Sequence, residues 1–237
     1  MTHATAAELW AFLSNSPLFG LTATLLAYQA GLWLFQKTGQ QAWANPLLTA
    51  ILIIGCFLWL TGTPYAKYFE GAQIVHFLLG PATVALAVPL FTQWRNLKRM
   101  ALPLLVALLA GSAAAAFSAM AIARVLGASS ETVRSLAPKS VTTPIAMGIA
   151  EKIGGLPSLT AVLVVLTGII GAVCFPAFFR LLGIRRHATQ GFAVGLAAHG
   201  LGTARAFMAS EEMGAFAALA MGLNGILTAL LLPLLLH

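Results

Sequence analysis

The run Lys139-Ser140-Val141-Thr142-Thr143-Pro144 places a cation and three hydroxyls directly before a proline. Proline suits the first turn of a helix, because its missing N–H would have no intrahelical partner there. Such a turn exposes unpaired N–H groups and about half a positive charge. The run therefore reads as a half-helix start at Pro144, with Ser140, Thr142 and Thr143 as hydroxyl donors beside it. Gly80-Pro81-Ala82-Thr83 has the same shape. His199-Gly200-Leu201-Gly202-Thr203-Ala204-Arg205 is a third variant. There Gly200 and Gly202 let a ligand approach the backbone, Thr203 adds a hydroxyl, and the planar fork of Arg205 fits a carboxylate. Together the three runs describe a site for a small anion, most simply a carboxylate, with Lys139 or Arg205 balancing its charge. His199 titrates near neutral pH, which makes it a candidate for binding substrate or for proton coupling.

Each candidate has a plainer reading. Lys139 can snorkel to the interface, Arg205 can anchor topology or pair with Glu151 or Glu211, and His199 can be a satisfied structural histidine. His76 lies one turn before Gly80. Asn224, isolated in the last apolar run, reads as an interhelical hydrogen-bonding residue beside Gly222 and Gly225. Tyr65, Lys67, Tyr68 and Glu70 read as an interfacial belt, and the small residues from Ala110 to Ala116 as a close-packing face. Cys56 and Cys174 sit inside apolar runs and read as inert small hydrophobes. No metal-ligand spacing, no cofactor motif and no nucleophile–base pair is present, and the chain contains no aspartate. The expectation is a protein that is not an enzyme.

The chain is 59% hydrophobic and only 8% charged, against about 25% charged in soluble domains. It reads as an all-α polytopic membrane protein. Its formal charge of +7 sits between apolar runs, as topology determinants facing anionic lipid do, and not in the clusters that bind nucleic acid. The N-terminus lacks the basic region of a secretory signal, so the first apolar run reads as a retained anchor, with Leu9 to Leu13 in the interface.

Spanning helices are expected at Leu18–Phe35, Pro46–Leu60, Met100–Leu126, Pro157–Leu182 and Met213–Leu235. Three apolar segments are interrupted: Gln73–Trp94, Leu136–Glu151 and Gly191–Met208. Placing Gly127 over Gly183 and running forward without gaps sets Thr143-Pro144 on His199-Gly200. The helix at Pro157 then falls on that at Met213. The implied unit is a broken or re-entrant helix followed by a spanning helix, repeated over 73–127, 129–183 and 185–236, within a membrane domain of 45–237 that follows an N-terminal anchor region of 1–44. Broken helices arranged in repeats are how secondary transporters build sites near the midplane. Arg95, Lys98 and Arg99 form one basic loop, and Arg180, Arg185 and Arg186 another. Both belong in the cytoplasm, which requires Leu136–Glu151 to be a re-entrant hairpin and puts Lys37 inside and the N-terminus outside.

Three stretches carry a family resemblance: Leu79–Ala87, Ser140–Ala146 and His199–Ala206. In order and spacing they resemble the LrgB/CidB family of bacterial membrane proteins over residues 45 to 236. The resemblance implies a multi-pass protein of the inner membrane with two functional descriptions. One is a holin/antiholin-like effector of murein hydrolase activity and lysis, working with a small membrane partner of the LrgA/CidA type. The other is transport of small monocarboxylates: pyruvate in bacteria, glycolate and glycerate in related plastid proteins. The residues themselves favour transport, because a pore made of massed simple helices has no need of three polar breaks. A homodimer is expected from the general habit of such carriers.

Overall fold

The computed structural model describes residues 18–41 and 44–236, without the side chains of 76, 79 and 83. Eleven helices and no strands occur among them. The reading of Leu9 to Leu13 and of the N-terminus lies outside the described residues. The chain forms two compact units, 1–85 and 86–237. Within the first, α1 (Phe19–Lys37) packs on both α2 (Pro46–Thr61) and α3 (Tyr65–Ala85).

In the first unit Gly20 lies against the backbone of Tyr68 and Gly31 against that of Pro46. Thr24 and Tyr68 share a hydroxyl–hydroxyl hydrogen bond of 2.7 Å. Tyr68 is therefore a buried link between α1 and α3, not a member of an interfacial belt. The Asn45 side chain caps α2 by accepting from the Leu47 and Leu48 N–H groups. Helix α3 contains Pro81, and the apolar run bends by 44° between Tyr65–Val75 and the stretch that starts at Gly80.

The second unit holds the short helices α4 (Ala87–Thr92) and α5 (Trp94–Arg99), then α6 (Ala101–Val125), α7 (Ser130–Leu136), α8 (Thr143–Lys152), α9 (Pro157–Leu181), α10 (His187–Ala209) and α11 (Glu211–Leu235). Arg95, Lys98 and Arg99 thus lie on a helical turn and not in a loop. Helices α6, α9 and α11 have 25 residues each and are long and apolar enough to cross a membrane. At 1.5 Å per residue each spans about 37 Å, more than the roughly 30 Å of hydrocarbon. Helices α6 and α9 close alike: Gly127 (φ +79°) and Gly183 (φ +66°) take the left-handed conformation just past the helix end.

Packing fixes the direction of every element in this unit. One end gathers Leu97 and Leu104 with Ala188, Phe192 and Phe216. Phe179 at the close of α9 packs with Val194, Ala206 and Met213 nearby. All six basic residues Arg95, Lys98, Arg99, Arg180, Arg185 and Arg186 therefore belong to this basic end. The opposite end gathers Met120 and Ala123 of α6, Val133 of α7, Ile149 and Ile153 after the turn, and Leu232 of α11.

The segment 127–156 leaves the opposite end and returns to it. The Ser135 hydroxyl accepts from the Leu156 N–H at 2.7 Å, and the Thr160 hydroxyl donates to the Ser135 carbonyl at 3.0 Å. The start of α9 is thereby tied to α7, which itself packs on α6. Helix α8 has ten residues, about 15 Å and half a bilayer. This is the expected re-entrant hairpin.

Helix α10 is also a hairpin, two helical arms within His187–Ala209 that meet at a break. His199 has φ 41° and ψ −134°, where the chain reverses. A Cβ placed on Gly202 would come 2.7 Å from Val194 Cγ1 and 3.0 Å from its carbonyl oxygen. Eight residues along a continuous helix lie about 12 Å apart, so the two arms stand side by side. The first arm runs parallel to α11, with Gly191 on Met213 and Gly195 on Ala217. The second runs antiparallel, with Phe207 on Gly214 and Thr203 near Met221. The hairpin closes at its base, where His187 Nδ1 and Ser210 Oγ lie 2.9 Å apart. The two hairpins thus enter from opposite ends.

The close seating of the first arm on α11 gives a test. A Cβ at Gly195 would collide with the Ala217 backbone, whereas one at Gly222 meets nothing within 4 Å. Gly195→Ala is expected to destabilise the purified protein by about 1–3 kcal/mol. Gly222→Ala is expected to be neutral or to stabilise by up to about 1 kcal/mol. Thermal unfolding in one detergent compares the two.

Candidate functional site

The hairpin tips meet at mid-height. Asn224 is central in α11 and fully buried. Its side-chain amide donates to the Ser140 carbonyl at 3.2 Å and to the Leu196 carbonyl at 3.1 Å. One acceptor belongs to the first tip, the other to the last turn of the arm leading to His199. The Thr228 hydroxyl donates to Asn224 Oδ1 at 3.3 Å, so the amide is used on both sides. Next to it Ile145 packs on Gly225, and Gly200 faces Met221.

The first tip is a turn at Ala137–Ser140 followed by α8, which starts at Thr143 with Pro144 in its first turn and Thr142 as N-cap. The Thr142 side chain makes no capping bond. The hydroxyls of Thr142 and Thr143 are half-buried, as is Lys139, whose ammonium donates to the Ser140 hydroxyl at 3.3 Å. Lys139 is also within electrostatic range of His199. The first and third candidate runs are therefore neighbours in space, although some sixty residues apart in sequence.

At the second tip the residues divide. His199 is buried, and its Nε2–H donates to the Val164 carbonyl at 3.0 Å. A carbonyl only accepts, so the proton sits on Nε2. The Thr203 hydroxyl donates to the His199 carbonyl at 2.8 Å. It is engaged in holding the reversal and is not a spare donor. Gly202 is filled by Val194 and Ala198, so its missing side chain serves packing between the arms and not ligand approach. Gly200 remains open, since a Cβ there would meet only Met221 Sδ, at 3.9 Å. The groups available at the tips are thus the first-turn N–H groups of α8 and of the second arm of α10, the hydroxyls of Thr142 and Thr143, and the Lys139 charge.

Arg205 lies elsewhere. It is half-buried on the second arm and lines a cavity of about 580 Å³ between α9 and α10, together with Arg180, Arg185 and Gln190. Gly80 and Pro81 belong to the first unit, and the Thr83 and His76 side chains lie outside the described residues. Among the described residues no group of three or more His, Cys, Asp or Glu is placed to hold a metal.

Sequence reasoning found both tips but gave Asn224 only a general packing role. Its pairing with two carbonyls, and the pairing of Val164 with His199, depend on backbone atoms that any residue type supplies, so composition carries no signal for them.

The sequence profile of the LrgB-like family matches residues 24–237, which extends the match beyond the 45–236 read from the motifs. The "Uncharacterized protein YwbG" of Bacillus subtilis (strain 168) is 36% identical over 219 residues, covering 92% of this chain and 97% of that protein. The "Antiholin-like protein LrgB" of the same organism is 31% identical over 218 residues, covering 92% and 94%. That of Bacillus cereus (strain B4264) is 30% identical over 219 residues, covering 92% and 95%. No solved structure matches the chain.

Two substitutions test the tip geometry. Asn224→Ala leaves both carbonyls without their donor and is expected to cost about 1–2 kcal/mol. His199→Ala is expected to be less stable than His199→Gly by about 1–2 kcal/mol. Both lose the bond to Val164, but only alanine keeps the strain of a positive φ. Unfolding in detergent reads both, and equal stability of the two His199 variants would refute the strained reversal.

Proposed function

This chain belongs to the LrgB-like family of membrane proteins, and on that premise we propose that it carries small monocarboxylates such as pyruvate, glycolate or glycerate across the bacterial inner membrane. The observation that carries this reading is the meeting of two re-entrant hairpins, entered from opposite ends, at the centre of α9 and α11. Irregular backbone at membrane depth is tolerated where it is buried in protein or lines a cavity, and such half-helix termini are where secondary transporters hold anions. The substrate carboxylate accepts from the N–H groups at Thr143 and Gly200 and from the Thr142 and Thr143 hydroxyls, with Lys139 balancing its charge. His199 is the candidate for proton coupling. Gly80, Pro81 and Thr83 are proposed as an anion contact within the first unit. With the basic end in the cytoplasm, α10 enters from inside and the α7–α8 hairpin from outside. A small membrane protein of the LrgA/CidA type and a second copy of the chain are the proposed partners.

The alternative is an antiholin-like pore or effector of murein hydrolase activity, favoured by the names of the relatives. Uptake of labelled pyruvate, glycolate and glycerate into proteoliposomes, with and without the small partner, separates the two. The carrier reading expects saturable, counterflow-competent uptake. It expects Lys139→Ala or Thr143→Val to lower uptake at least about tenfold while the protein stays folded, the loss of one charge-assisted hydrogen bond being worth that much. Unsaturable flux, or no flux from folded protein in any combination, returns the antiholin-like reading.

A further inference from the structure

Helices α5 and α6 share one surface stripe that the hairpin tips do not use. The Met100 N–H donates to the Asn96 carbonyl at 3.1 Å, and the Leu104 N–H to the Met100 carbonyl at 2.9 Å. Helical turns therefore run on from α5 into α6, and residues three, four or seven apart share a face. Leu97, Leu104 and Leu108 form the inner face, 5% to 8% exposed, in the cluster with Ala188, Phe192 and Phe216. Arg95, Lys98 and Arg99 stand on the outer face and are exposed. The same face continues with Leu102, Leu105, Val106 and Leu109, which are 47% to 71% exposed. The stripe is thus cationic at the basic end and apolar for the next two turns, about 10 Å.

The fold supplies no counter-charge to this stripe. Among the described residues none of the three cations makes an ion pair, and the Lys98 ammonium lies over the Trp94 ring at 4.8 Å. The carboxylates of this end belong to Glu211 and Glu212. Glu211 accepts from the Thr92 hydroxyl at 3.1 Å, one turn before Arg95, and Glu212 is half-buried. Arg185 and Arg186, exposed just before Ala188 of the same cluster, add positive charge nearby. Cations and a tryptophan at the end of an apolar helix mark the membrane–water interface. Their stems lie on apolar surface while their heads reach the phosphates. Orienting the chain requires such charges to lie on one side of the membrane. It does not require them in register with an unpaired apolar strip.

We propose that this stripe binds one anionic phospholipid of the leaflet at the basic end. Its phosphodiester accepts from Arg95, Lys98 and Arg99, and an acyl chain lies along Leu102, Leu105, Val106 and Leu109. Charge selects the occupant. A zwitterionic lipid brings its own ammonium to the cations, and a free phosphate has no chain for the strip. The apolar helix of a second copy leaves three cations unpaired. Each basic residue beside an anionic headgroup strengthens binding about fivefold. The site lies on the outer face of α6 and does not depend on the carrier reading.

The test places the full chain in nanodiscs of equal phosphatidylglycerol and phosphatidylcholine with matched chains. Native mass spectrometry then reads which lipid stays bound. Phosphatidylglycerol is expected to be retained at least about twentyfold over phosphatidylcholine. Lys98→Gln should lower that preference about fivefold and Lys98→Arg should keep it. Arg95→Gln, Lys98→Gln and Arg99→Gln together should abolish it, whereas Arg134→Gln with Lys152→Gln at the opposite end should not change it. All these side chains are exposed, so unchanged unfolding midpoints in phosphatidylcholine are expected for every variant. Equal retention of the two lipids, or a preference that survives the triple substitution, overturns the site. Glycerol phosphate that raises the unfolding midpoint as far as phosphatidylglycerol does would reduce the stripe to a free-anion site and overturn the lipid. With Cys56→Ser and Cys174→Ala as background, a disulfide between two copies through Leu105→Cys would put a second copy on the strip and overturn it as well.

Discussion

The second unit is organised around one buried amide. Asn224 has two N–H groups, and each is given to a backbone carbonyl of a different hairpin, at Ser140 and at Leu196. In hydrocarbon, a carbonyl left without a donor costs several kcal/mol. A chain that reverses in mid-membrane leaves such carbonyls at both reversals. A single donor pair on the spanning helix between them satisfies both and fixes their height relative to one another. Thr228 holds the amide oxygen, so the side chain has one orientation. Val164 and Thr203 do the same for the second reversal, one holding the His199 ring and the other its carbonyl.

Close helix approach makes this arrangement possible. Lipid tails are as apolar as leucine, so helices in a membrane associate by contact and not by exclusion of water. Gly191 and Gly195 bring the first arm of α10 onto the α11 backbone, and Gly202 brings the second arm onto the first. The three helices then form one block in which the reversal at His199 is enclosed. The strain of its positive φ is held by the packing on every side.

The same block has two unlike faces. Towards α6 and α11 the first arm is packed with Phe192, Leu196 and Phe216. Towards α9 the packing gives way to the arginine-lined cavity. Between the tips and the opposite end, Val133, Val141, Ile149 and Ile153 pack with the buried Ser135 and Thr160.

Much of this was legible in the residues themselves. Composition determined an all-helical membrane protein, and apolar runs located α6, α9 and α11 to within a few residues, because hydrocarbon demands length and apolarity that few other structures need. Pro144 and His199-Gly200 marked the two reversals of the second unit, since proline and glycine constrain the backbone locally. The clustering of basic residues pointed to a re-entrant Leu136–Glu151, because charge is costly to move across the bilayer. Other features were decided only by tertiary structure. Tyr68 is a link and not a belt residue, because its hydroxyl meets Thr24 on another helix. Thr203 and Gly202 support the hairpin, because the Thr203 hydroxyl donates to the His199 carbonyl and Val194 of the other arm occupies the space beside Gly202. Arg205 belongs to the cavity and not to the tips, because six residues along the returning arm carry it about 9 Å away from the reversal. Residue type specifies what a side chain can do. Which atoms it meets depends on chain segments far away in sequence, and that information exists only once the hairpins have packed.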